Sequence, residues 1–94
     1  MNEKDKHEKL DELLDEFVNV LYILQKDQKD EKKLFQKLDV LMNEMVALSK
    51  QIGGVLEKHL HALQSQLKKI DTHSSNVDSM VEGSLKVKND LWPL

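Results

Sequence analysis

The 94 residues contain no cysteine, no arginine and a single proline. Without cysteine there is no disulfide framework and no thiolate metal site, and the redox compartment stays open. Arginine supplies the bidentate contacts to phosphate and guanine edges. All fourteen basic residues here are lysine, and the net charge is −3. Both facts count against nucleic acid or an anionic membrane as the partner. The longest unbroken apolar run, Val20 to Leu24, is five residues, against about 20 for a membrane-spanning helix. The N-terminal stretch MNEKDKHEKLDELLDEF is acidic and polar and lacks the apolar core of a signal peptide. A soluble, cytoplasmic protein is the expectation. Aromatics are also scarce, with two phenylalanines, one tyrosine and one tryptophan, while a third of the residues are charged. That balance is typical of long-helix and coiled-coil chains rather than of a mixed domain.

What is present is a heptad pattern. With Phe35 at position a, the a/d seam reads Phe35, Leu38, Met42, Met45, Ser49, Ile52, Leu56, His59, Leu63, Gln66 and Ile70. Apolar residues spaced alternately three and four apart make a helix that packs along one seam. The register extends backwards without a slip through Leu24, Leu21, Phe17, Leu14 and Leu10. Val18 at e, with Leu13 and Val20 at g, widens the stripe, so each helix should touch more than one neighbour. The expected fold is all-α, with long amphipathic heptad helices forming a coiled-coil or helical-hairpin bundle. A monomer of this length buries only a modest core, and a stripe this wide is expected to need an oligomer.

The chain reads as one helical domain with an arm over about 4–52, a Gly53-Gly54 break and a second arm over about 55–71. A short last helix is expected over about 76–89, followed by a tail over 90–94. Within the first arm, residues 25–33 (QKDQKDEKK) are all polar and put Gln28 and Glu31 on the seam. They form either a solvated stretch of helix or a turn. Each glycine of the pair costs about 1 kcal/mol inside a helix, which favours a hairpin turn; the heptad phase kept from Ile52 to Leu56 favours continuity. A hairpin is preferred, because it lets a short chain cover its own stripe. Ser75-Asn76-Val77-Asp78 has the spacing of a helix start, and Gly83 makes the last helix the weakest element. Trp92 and Pro93 end the chain in an apolar tail that packs on the bundle or plugs a partner.

No catalytic, cofactor-binding or metal site is read from the chain. His59 and His61 are two apart, on different helix faces, and not the i,i+4 pair of a helical zinc site. His59 and His73, both at d, are fourteen residues apart, about 21 Å along a helix. As d residues both are expected to be buried and neutral. The carboxylates fall on outward b, c and f positions. Met42 and Met45 suit either an ordinary core or an adaptable groove for a partner helix.

The function expected is that of a non-enzymatic structural or adaptor subunit, assembling with itself or with other helical chains through the seam. The interface residues would be Leu14, Phe17, Leu21, Leu24, Phe35, Leu38, Met42, Met45, Ile52, Leu56, His59, Leu63 and Ile70. The alternative is a small regulator or chaperone that masks an amphipathic helix of a partner. In heptads and length the chain resembles the small helical subunits of eukaryotic tethering and kinetochore complexes, and it carries no motif that names a family.

Overall fold

The wide apolar stripe is covered by folding the chain back on itself three times. The computed structural model describes residues 3–26, 29–69 and 74–91. They form α1 (Glu3–Lys26), α2 (Glu31–Ile52), α3 (Gly54–Lys69) and α4 (Ser74–Leu91). Each helix packs on its chain neighbours and α4 closes on α1, whereas the diagonal pairs do not pack on each other. Paired contacts run in opposite directions along neighbouring helices: His59 with Asp90 and Gln66 with Ser79 across α3–α4, and Lys88 with Asp15 and Gln25 with Asp78 across α1–α4; short turns join α1 to α2 and α2 to α3. The architecture is therefore an up-down-up-down four-helix bundle. It measures 40 × 19 × 19 Å. The 24 residues of α1 rise about 36 Å, so the bundle is one helix long and two helices wide each way.

One chain buries this stripe. Leu10, Leu14, Phe17, Leu21 and Leu24 of α1 meet Leu38, Met42 and Met45 of α2 in one core, with Leu56 and Leu63 of α3 and Val77, Met80 and Val87 of α4. The g residues Leu13 and Val20 are buried as well, because every helix faces two others. The expectation that the stripe is too wide for one chain therefore rested on a false premise. Met42 and Met45 are ordinary core, at 1% and 0% exposure. Phe35 and Ile52 are partly buried and pack against the edge of the core. Ile70, His73 and Trp92 lie outside the described residues.

The boundaries differ from the sequence reading in three places. The arm expected over 4–52 is two helices, with Lys29 and Asp30 in a turn and the Leu34 N–H donating to the Asp30 carbonyl at 2.9 Å. A continuous helix would have set Glu31 in a core layer; the turn instead leaves Glu31 at the positive end of α2, and Gln28 lies outside the described residues. The glycine pair is the hairpin. Gly53 has φ 79° and ψ −169°, Gly54 has φ 71°, and the Gly53 N–H donates to the Ser49 carbonyl at 2.7 Å to close α2. Finally, α4 runs from Ser74 to Leu91 rather than over 76–89, and Leu91 is fully buried.

Within α3 the inward face departs from the heptad phase. In α3 the buried residues are Leu56, Leu60, Leu63 and Leu67, so the inward face runs through a and e of the original register. The correction falls on His59, which is exposed rather than buried at d. A turn frees the next helix to rotate about its axis. Two leucines then go inward in preference to His59 and Gln66, since burying an unpaired polar group is costly and burying leucine is favourable.

Candidate functional site

The seam residues assigned to a protein interface lie, where described, in or against the chain's own core. His59 is the exception: its side chain is 45% exposed and its Nδ1 pairs with the Asp90 carboxylate of α4. Any partner must therefore meet the outer faces. Two buried serines, Ser49 and Ser84, are satisfied inside their own helices, donating to the Val46 and Met80 carbonyls at 2.8 Å. They have nothing to offer a ligand. Among the described residues no group of three or more His, Asp or Glu side chains is placed to hold a metal ion. Nor is any helix there long and apolar enough to cross a membrane.

Shallow grooves follow three of the helix junctions; the one between α2 and α3, of about 300 Å³, is lined largely by polar residues such as Asp39, Asn43 and Gln64. One, of about 190 Å³, lies between α3 and α4 beside Leu63, Gly83 and Val87; it opens because Gly83 has no side chain. Another, of about 400 Å³, lies between α1 and α2 over Leu13, Ala47 and Leu48. Its rim has mixed sign, with Lys9 and Glu44 on it and the Lys37–Glu16 ion pair nearby.

The face shared by α1 and α4 is different in kind. Two polar pairs fix its register: Gln25 donates to Asp78, and Lys88 donates to Asp15. Stepping inward from these pairs by three and then four residues on each helix sets Val18 opposite Leu85 and Tyr22 opposite Val81. Val81 is buried and Val18 packs against the core, while Tyr22 and Leu85 remain 44% and 43% exposed. An apolar strip thus lies open between two polar clasps. Asp15 of α1 and Asp78 of α4 stand at its ends, and Glu82, four residues on from Asp78, and Lys26, four on from Tyr22, are exposed beside it. Lys88 bridges Asp15 and Asp11, the latter as an ion pair at 3.7 Å rather than a hydrogen bond. The ammonium is held above its ordinary 10.5 by the Asp15 hydrogen bond and the charges of both carboxylates, against the lowering effect of burial.

Tyr22 and Leu85 were absent from the residues read as an interface. Both fall at b in the heptad frame, where a solvated helix carries polar side chains; a large apolar residue there was the signal available. Compared with known proteins, the chain matches no family model, no curated protein and no solved structure.

Proposed function

We propose that the chain is a non-enzymatic adaptor that joins other helical chains, or its own copies, through its outer faces. The observation that carries this reading is the open strip of Tyr22 and Leu85 on a bundle whose seam is already filled. An exposed apolar strip with polar edges is the usual form of a protein contact surface. A second reading uses the same strip: a small regulator that masks an amphipathic helix of its partner. The strip is narrow and helix-length, which suits a single helix.

The test is a Tyr22→Glu, Leu85→Glu double variant. Both side chains are half in water, so its helix content and melting temperature should stay close to wild type. A partner that co-purifies with the wild type, and re-forms a complex with it from purified components, should be lost. A wild-type chain that is partner-free and monomeric by native mass spectrometry when isolated from its own cells would refute the adaptor reading.

A further inference from the structure

We infer that the α1–α4 strip takes a basic amphipathic helix of another protein, lysine- or arginine-bearing along both edges of an apolar stripe. This inference rests on the adaptor reading and adds the chemistry of the partner. Charge decides the occupant. The chain's net charge is −3, and on this face the carboxylates of Asp11, Asp15, Asp78 and Glu82 outnumber the ammonium groups of Lys26 and Lys88. Within it, Lys88 is already taken up by Asp11 and Asp15. The opposite helix, α3, instead presents Lys58, Lys68 and Lys69 to solvent. The bundle is thus polarised across its diagonal, acidic along α1 and basic along α3. An acidic or neutral helix laid on the strip would gain the apolar contact and meet repulsion or nothing at the rim. A basic one gains both, and its association is steered by the field.

Geometry agrees with a helix as the ligand. Tyr22 and Leu85 sit on either side of the α1–α4 junction, and the strip between the Gln25–Asp78 and Lys88–Asp15 clasps spans ten residues of rise, about 15 Å. That is close to three helical turns, enough for an i, i+3/4, i+7 set of apolar anchors. Tyrosine is well suited to anchor such a contact, since its ring packs and its hydroxyl remains hydrated at the rim.

The probe is a synthetic amphipathic helix of about five turns carrying a leucine stripe edged with lysine, titrated against the whole chain by fluorescence anisotropy. Matched peptides carry glutamate or glutamine in place of lysine. The lysine peptide should bind, and Glu82→Lys should weaken it by about tenfold at low salt, less as salt screens the rim. Tyr22→Ala should weaken it by at least about tenfold, while Val40→Lys on the far side of α2 should not. Preferred binding of the glutamate or glutamine peptide at the Tyr22 strip would overturn the partner's chemistry and leave the adaptor reading standing. Lysine-peptide binding that is insensitive to Tyr22→Ala would overturn the site. Sedimentation of the chain alone provides the last outcome: a self-association lost on Tyr22→Glu would assign the strip to a second copy, overturning the inference while the adaptor reading survives.

Discussion

At the residue scale, three positions depend on details that a helical wheel does not display. Gly53 combines positive φ with extended ψ, a region open essentially to glycine alone. A Cβ there meets nothing within 4 Å, so the penalty for Gly53→Ala is backbone strain, about 1–3 kcal/mol. Urea denaturation should show that loss; a gain in stability would mean the helix runs through the pair. Gly83 is the converse case. It has an ordinary helical backbone, but a Cβ there would lie 3.0 Å from Leu63 Cδ1. Alanine would gain about 1 kcal/mol of helix propensity and push Leu63 off its rotamer for about 0.5–1.5 kcal/mol. Gly83→Ala should therefore leave the same urea midpoint nearly unmoved. Lys88 couples α4 to α1, and its pKa is raised by the Asp15 hydrogen bond first. A raised lysine pKa stabilises the fold fully below the unfolded value of 10.5 and stops doing so as pH climbs through the folded value. With the side chain 37% exposed, Lys88→Met should cost less than about 1 kcal/mol. Melting at pH 9 and above pH 11 should show the wild type losing slightly more stability than the variant.

At the scale of elements, α3 separates the two registers. Leu60 is fully buried and His59 is exposed. Leu60→Ala should cost about 2–5 kcal/mol, whereas His59→Ala should stay within about 1 kcal/mol, removing only an exposed pairing with Asp90. Chemical denaturation of the two variants decides the matter, and the reverse order would restore the a/d phase. For α1, α2 and α4 the inherited register does describe the inward face: Leu14, Leu21 and Val77 at a, with Phe17, Met45 and Met80 at d, are all buried. The 3.6-residue period was legible in those helices because each carries its own unbroken stripe. In α3 the leucines at 56, 60, 63 and 67 form such a stripe too, and the earlier register, carried across the hairpin, passes over Leu60 and Leu67 in favour of His59 and Gln66.

At the scale of the molecule, the core of the bundle is continuous through all four helices. Thermal unfolding should accordingly be one cooperative transition, followed by circular dichroism at 222 nm. Because the stripe is covered within one chain, its midpoint should hold steady over roughly a hundredfold range of chain concentration, where an obligate oligomer's would rise. Charge is also a whole-molecule property here. The acidic face of α1 and the basic face of α3 lie across the bundle diagonal, which gives the molecule a charge asymmetry across its short axis.

The sequence by itself determined the helical class, the inward stripes of α1, α2 and α4, and the glycine break. Each is a local matter of period, propensity and permitted φ. Only the tertiary structure decided that residues 25–33 contain a turn and that the wide stripe is satisfied within one chain. Each of those depends on which helices become neighbours, and a helix's neighbours are set by burial summed over the whole bundle. The strip of Tyr22 and Leu85 belongs to the same group. The two residues are 63 positions apart in the sequence, and only the antiparallel packing of α4 against α1 sets them along one junction.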